Sequence, residues 1–146
     1  LRRPDSHLGL ANFMRSHLYA SLVTLKIGLD ILLKEEDVKI DSITGHGGLF
    51  KTKGVGQSIL AAAMNAPISV METAGEGGAW GMALLAAYML SKKDGQSLGD
   101  YLDSRVFAER KSETMEPDLA DVAGFETYTK QYQACLAAEK AAVQAF

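Results

Sequence analysis

The sequence predicts an α/β fold in which helices and short strands alternate. Three observations lead to this prediction: a long segment near the start has apolar residues at every third or fourth position, two short β-branched runs each precede a glycine-rich turn, and helical periodicity fills the segments between them. Parallel neighbouring strands need a helical connection, which accounts for the order helix, strand, helix, strand, helix. The chain has 146 residues, 47% of them hydrophobic, so one domain with its own core is expected.

The first helix is predicted from apolar residues that share one stripe. They are Leu10, Phe13, Met14, Leu18, Leu22, Leu25, Leu29, Leu32 and Leu33. The first strand is predicted at residues 40–44, where apolar side chains alternate, and the sequence GHGG follows it directly at residues 45–48.

The remaining elements follow from the same two periodicities. We predict a second helix at residues 54–65, limited by Pro67, a second strand at residues 68–71, and a glycine-rich helix at residues 76–90. A turn and a short helix come next. An exposed loop at residues 108–118 follows them, and then a terminal helix with a periodic apolar face. The predicted division is therefore an α/β core at residues 1–95, a loop region at 96–118 and a terminal helix at 119–146.

Charge and composition exclude several classes of partner. The 15 basic and 18 acidic residues are scattered, so no basic footprint for nucleic acid or for a membrane surface is expected. No apolar run approaches the roughly 20 residues that span a bilayer, and we expect a cytoplasmic protein. Because the sequence begins without methionine and soon enters a periodic helix, we expect a fragment of a longer protein.

The glycines at residues 45–48 lie where a strand turns into a helix, and backbone amides there can hold a phosphate. Two common phosphate fingerprints are absent. Phe50 stands where the third glycine of a dinucleotide-binding motif would be, and no GxxxxGK[ST] sequence occurs. By spacing alone, a phosphate site and a simple turn are equally good interpretations.

A longer series of motifs runs from residue 47 to residue 89. It comprises a glycine turn, a Lys-Thr pair, a helix with an early glutamine, a strand opened by Ala-Pro, and a glutamate turn into a Gly/Ala-rich helix. Its residues are Gly47, Gly48, Lys51, Thr52, Gln57, Ala66, Pro67, Glu76, Gly81, Ala83 and Ala86. This series resembles the C-terminal domain of the FGGY family of carbohydrate kinases, and the last helix is similar to the tail of ribulokinase-type and xylulokinase-type members.

The resemblance implies an actin-like ATPase (ribonuclease H-like) fold, with this chain as the C-terminal half of a two-domain sugar kinase. ATP and Mg²⁺ are the implied cofactors, and ATP would lie in the cleft between this domain and an N-terminal kinase domain that holds most of the sugar. A ketopentose such as xylulose or ribulose is the implied substrate. Because the partner domain is absent, we also expect an exposed apolar or small-residue face through which the chain forms a homodimer or aggregates. The implied nucleotide-binding residues are Gly45, Gly47, Gly48, Lys51 and Gln57, with His46, Leu49, Gly78 and Gly81 as further residues of the pocket.

Phosphoryl transfer also needs a carboxylate base, Mg²⁺ and donors that stabilise the moving charge. In the resembled family the catalytic aspartate lies upstream of the matched region, so we name no catalytic residue and no metal ligand in this chain. The chain alone is expected to be inactive. Two alternatives remain open at this point: a nucleotide-sensing or regulatory actin-like domain without catalysis, and a structural module in which every glycine serves packing.

Individual residues also have simpler interpretations. Lys51 can be a solvated side chain, Gln57 can serve packing or capping, and His46 can face water. Glu76 at the start of a helix interacts favourably with the helix dipole, which is our preferred interpretation. Trp80 is expected in the core or at a domain interface.

Overall fold

The computed structural model describes residues 7–40, 42–72, 74–108 and 112–145. Its helices are α1 (Leu10–Lys34), α2 (Val55–Met64), α3 (Gly77–Ser91), α4 (Leu98–Tyr101) and α5 (Leu119–Gln144), and its strands are β1 (Ile43–Gly45), β2 (Ile68–Met71) and β3 (Ser112–Met115). Short 3₁₀ turns occupy Gly48–Phe50 and Ala74–Glu76, and a π-helical segment, Leu102–Val106, continues α4. The predicted alternation of helices and strands is confirmed through α3.

The three strands form one sheet in the order β1-β2-β3. Strand β1 is parallel to β2, with Ile43 opposite Ile68, and α2 makes the crossover between them. Strand β3 is antiparallel to β2, with Met115 opposite Ile68. The sheet is therefore mixed, with its parallel pair at the predicted positions.

Strand β3 corrects the prediction of an exposed loop at residues 108–118. Its residues Ser112, Glu113 and Thr114 are polar and exposed, so no apolar alternation marks them. Pairing depends instead on the backbone and on a hydrogen bond of 2.8 Å between the hydroxyls of Ser69 and Thr114. Residues 109–111 of the same segment lie outside the described residues.

The core lies between one face of the sheet and a layer formed by α1, α2 and α5. Phe125 of α5 and Ile68 of β2 are fully buried in it, and the ring of Tyr19 from α1 lies 4.7 Å from that of Phe125. The other core residues are Leu22, Leu60, Ala61, Ala63 and Met64. Helix α5 therefore completes the core in its first half, while residues 136–145 are exposed.

The buried face of α1 agrees only in part with the predicted stripe. Leu22 is buried as predicted, together with Tyr19, Val23 and Lys26, whereas the predicted stripe residues Leu10, Phe13, Met14, Leu25 and Leu32 are exposed. The reason is geometric, because 25 residues of helix extend about 37 Å and the 10 residues of α2 only about 15 Å. Only the middle of α1 can reach α2.

Helix α1 is also, by length and composition alone, long and apolar enough to cross a membrane. This corrects the estimate that no segment reaches that length. Core helices of soluble proteins pass the same test, and the buried middle of α1 carries the ionised pair of Lys26 and Asp30.

Lys26 joins α1 to α5 through two carboxylates. Its Nζ lies 2.6 Å from Asp30 Oδ1 and 2.9 Å from Glu126 Oε1, and Lys34 bonds the other oxygen of Asp30 at 3.0 Å. Burial disfavours the charge of Lys26. The hydrogen bonds that Lys26 donates to both carboxylates outweigh the effect of burial and raise the pKa of Lys26. Burial likewise disfavours the charge of Asp30, and the two lysines outweigh it and lower the pKa of Asp30. The network therefore favours the charged forms.

Replacing Asp30 with Asn should lower the free energy of unfolding at pH 7 by about 1 to 2 kcal/mol, because Lys26 loses a charged partner. A lowered pKa of Asp30 in the folded chain contributes stability above its ordinary value near 3.8 and loses that contribution as pH falls through the folded value. The unfolding free energies of the parent and Asp30→Asn chains should therefore converge as the pH falls below the folded pKa of Asp30. Urea unfolding followed by circular dichroism across pH measures this difference.

The matched control is Asp94→Asn, which removes an exposed carboxylate from the turn after α3. It should follow the parent chain at every pH. A difference between parent and Asp30→Asn that does not change with pH would contradict the assigned role of the charge.

Candidate functional site

Two glycine-rich turns meet at the carboxyl ends of β1 and β2. The first glycine turn, residues 45–48, ends β1, and the second glycine turn, residues 75–78, leads from β2 into α3. The Gly47 N–H donates a 2.7 Å hydrogen bond to the carbonyl oxygen of Ala74, which joins the turns directly. Ligands of open α/β sheets bind at this edge, outside the carboxyl ends of the strands.

Two glycines of the first turn are required by the fold itself, one by a neighbouring side chain and one by its backbone conformation. A Cβ added at Gly45 would overlap the ring of Phe50, and Gly47 has φ of 106°, which disfavours any other residue. Both positions therefore have a structural reason to be glycine.

Three other predicted site glycines face open space. A Cβ added at Gly48, Gly78 or Gly81 would meet nothing within 4 Å, and none of the three has a positive φ. Neither packing nor local backbone conformation requires glycine at these positions. They leave room beside the turns for a ligand to approach the backbone closely.

The helices that begin at this edge carry no side-chain caps. Gly47 precedes the 3₁₀ turn, Gly54 precedes α2, and Glu76 precedes α3 without a capping hydrogen bond. By contrast, Ser97 and Asp118 cap α4 and α5, while α1 begins after the uncapped Gly9. The first N–H groups of a helix have no acceptor within it, so this edge presents donors and partial positive charge.

Lys51 and Glu76 form an ion pair across the two turns, with Nζ 2.8 Å from Oε1. The stem of Lys51 crosses Gly75, where an added Cβ would lie 3.1 Å from Lys51 Cγ. The hydrogen bond from Lys51 lowers the pKa of the Glu76 carboxyl. The sequence did not predict this pair. It placed Glu76 at a helix start, but nothing in the spacing of Lys51 and Glu76 shows that the two turns touch.

His46 and Leu49 point in different directions. His46 is exposed, with its Cβ 3.4 Å from a Cβ added at Gly77, and it lines an open cavity of about 410 Å³ that also borders Thr44 and Ser69. Leu49 is half-buried and packs against the core. Of these two predicted pocket residues, only His46 therefore faces an open space.

Gln57 is 5% exposed and ties α2 to the sheet. Its Nε2 donates to the carbonyl oxygens of Ile68 at 2.7 Å and Glu113 at 2.8 Å. Both amide hydrogens are thereby used within the fold, and the amide oxygen is the atom that remains for a ligand.

An open cavity of about 420 Å³ lies beside Gln57. Its polar lining includes Thr52 of the predicted Lys-Thr pair, and also Lys53, Glu72 and Glu113, to which the sequence pattern did not point. Lys53 and Glu113 pair across it at 3.1 Å. Glu113 could not be placed here from the sequence, because only the pairing of β3 brings it to this edge.

The described residues contain no group of three or more His, Cys, Asp or Glu side chains that could hold a metal ion. Asp41, the carboxylate beside the first strand, lies outside the described residues. The arrangement at the two turns offers backbone donors, one lysine and open glycines, which suit an anionic ligand.

The family model described as "FGGY family of carbohydrate kinases, C-terminal domain" matches residues 1–90 of the chain. The chain belongs to the FGGY family. The resemblance found in the sequence is thereby confirmed, and both glycine turns lie inside the matched region. Comparison with curated proteins and with solved structures gives no significant match.

Membership of the FGGY family gives the site a chemical context. FGGY proteins are ATP-dependent sugar kinases, and the matched model describes the C-terminal of their two domains. The mixed arrangement of helices around a three-stranded sheet is consistent with the actin-like fold that the family implies. The match ends within α3, so β3 and α5 extend beyond it.

Comparing Gly45→Ala with Gly48→Ala should separate structural from open glycines. Gly45→Ala forces a methyl group against Phe50 and should lower the free energy of unfolding by about 1–3 kcal/mol. Gly48→Ala meets open space and should change it by less than about 0.5 kcal/mol. Urea unfolding of both variants measures this, and an equal loss in the two would show that Gly48 supports the fold.

Proposed function

We propose that this domain forms the ATP-binding side of a sugar kinase that transfers the γ-phosphate of ATP to a hydroxyl of a ketopentose such as xylulose or ribulose. The observation that carries the proposal is the meeting of two glycine turns at the ends of parallel strands, with open space at Gly48 and Gly78. Family membership supplies the reaction class. The similarity of residues 125–141 to ribulokinase-type tails supports the sugar class.

In this proposal the nucleotide phosphates lie against the first glycine turn. The amides at Gly48 and Leu49 begin a 3₁₀ turn and have no acceptor inside it, so they can donate to phosphate oxygens. Lys51 follows directly and adds a positive charge. His46 is exposed at the same turn and can donate from its ring.

The nucleoside part extends along neighbouring surfaces. Gly78 and Gly81 lie one turn apart on α3 and leave its backbone open to a flat ring. Gln57 presents its amide oxygen at the 420 Å³ cavity, where it can accept a hydrogen bond from a ribose hydroxyl or an amino group.

The catalytic base and the metal come from outside the described residues in this proposal. Because those residues contain no group of three or more His, Cys, Asp or Glu side chains that could hold a metal ion, we infer that Mg²⁺ is held on this side mainly by the nucleotide phosphates and water. Phosphoryl transfer depends on positioning and charge stabilisation from both sides of a closed cleft, so the chain contributes nucleotide binding and the N-terminal domain contributes sugar binding and the base.

The chain should therefore bind ADP or ATP weakly and transfer no phosphate to any sugar. Calorimetric titration with both nucleotides tests the first half. A coupled ADP-release assay with xylulose, ribulose, gluconate and glycerol tests the second. Sugar-dependent turnover by this chain would contradict the division of roles between the two domains.

Gly48→Glu should reduce the affinity for ADP about tenfold or more, since a carboxylate then stands where phosphate is proposed. The control is Gly28→Glu, which adds the same charge at an exposed, open position on α1. It should leave ADP affinity unchanged. Equal loss of affinity in the two variants would point to a general charge effect, and unchanged affinity in Gly48→Glu would remove the phosphate from this turn.

A further inference from the structure

Lys51 is anchored to both glycine turns at once. Its backbone N–H donates to Gly48 O at 3.2 Å, which fixes its start at the end of the first 3₁₀ turn. Its stem lies over Gly75, and its Nζ ends on Glu76. The lysine therefore bridges the turns and does not extend freely into solvent.

Glu76 uses its carboxylate for this bridge and not for the helix that follows it. It is the N-cap residue of α3, yet its side chain accepts no hydrogen bond from the first turn of α3. The carboxylate therefore neutralises the one lysine of the proposed phosphate site. A phosphate entering beside Gly48 meets a paired cation.

We propose that Glu76 competes with the nucleotide phosphate for Lys51, so that Lys51 leaves the carboxylate and bonds the phosphate when the nucleotide binds. This inference rests on the proposed function, because it assumes that phosphate binds at the first glycine turn. The Lys51 and Glu76 side chains are 58% and 71% exposed, and exposed pairs are weak. A phosphate carries more charge and more acceptor oxygens than one carboxylate, so it can take the lysine.

Because of this exchange, a ligand must bind Lys51 strongly enough to replace the Glu76 carboxylate. Once Lys51 has left, the Glu76 carboxylate stands unpaired near the phosphate and repels it. The loss of the Lys51–Glu76 pair costs the same for every ligand, so a di- or triphosphate, which bonds Lys51 more strongly, is favoured over a singly charged anion. Glu76 is thus a specificity-determining residue that lowers affinity for every phosphate ligand.

The test is a double-mutant cycle measured by calorimetric titration with ADP at low ionic strength. Glu76→Gln should bind ADP about two- to fivefold more tightly than the parent chain, which is the range expected from loss of an exposed pair. Lys51→Met should bind more weakly. In the Lys51→Met background, Glu76→Gln should give a smaller gain, because no lysine remains to be released and only the repulsion between Glu76 and the phosphate is removed.

Glu139→Gln is the control, since it removes one exposed carboxylate near the end of α5 and should leave ADP affinity unchanged. A second readout follows the Glu76 carboxylate by NMR across pH. Its pKa should lie below the ordinary value in the free chain and rise when ADP is saturating, because Lys51 has left and a phosphate is near.

Weaker ADP binding by Glu76→Gln would overturn the inference and show that Glu76 positions Lys51. A gain of the same size in the Lys51→Met background would also overturn it, because repulsion alone would then account for the effect. If neither the parent chain nor Glu76→Gln binds ADP, the proposed function fails together with this inference. Binding by the parent chain with no effect of Glu76→Gln refutes the exchange alone.

Discussion

Helix α2 is the most deeply buried helix of the described chain, with seven of its ten residues buried. Its small side chains Ala61 and Ala63 allow α1 and α5 to pack closely against it, while Ile68 meets its other side. At its start, a Cβ on Gly56 would overlap the carbonyl oxygen of Leu49. The 3₁₀ turn is thereby pressed against α2, and the position of the first glycine turn depends on the packing of the core.

The core on which the glycine turn depends reaches beyond the region that the family model matches. Phe125 of α5 is fully buried against Tyr19, although the match ends at residue 90. The Lys26 network ties the same two helices by charge, so hydrophobic packing and a nearly buried cation act at one contact. Gln57 performs a comparable task on the sheet side, because its amide holds α2 to both β2 and β3.

The elements that the sequence predicted well are those whose ends are marked by glycine, proline and a change in apolar spacing. Helix α2, strand β2 and helix α3 lie within a residue or two of their predicted bounds, because apolar spacing and Pro67 mark them. The predicted buried face of α1 was right at Leu22 and wrong at Leu10, Phe13, Met14, Leu25 and Leu32, since a continuous apolar stripe does not show how much of a helix finds a partner. Strand β3 was missed because a polar edge strand is held by backbone pairing, which leaves no apolar pattern.

The candidate site was predictable in its residue types and not in its contacts. Glycine at a strand-to-helix turn pointed to residues 45–48, and family resemblance added Lys51 and Gln57. Which glycines have open space beside them and which do not depends on side chains that the glycine spacing does not reveal, such as Phe50 at Gly45 and Lys51 at Gly75. The Lys51–Glu76 pair has the same origin, since it exists only where the two turns meet.

Helix α3 has no buried residue, and its main side-chain contacts are the rings of Tyr88 with Tyr101 and of Trp80 with Phe107. A helix secured in this way opens locally at a lower free energy than α2, whose amides can exchange with solvent only when the core itself unfolds. The proposed pocket thus has one rigid wall and one that fluctuates. A ligand that contacts both α2 and α3 must restrict the motion of α3. Part of its binding free energy is therefore offset by the conformational entropy that α3 loses. Any partner surface that covers α3 would remove that cost in advance and tighten nucleotide binding without touching the nucleotide.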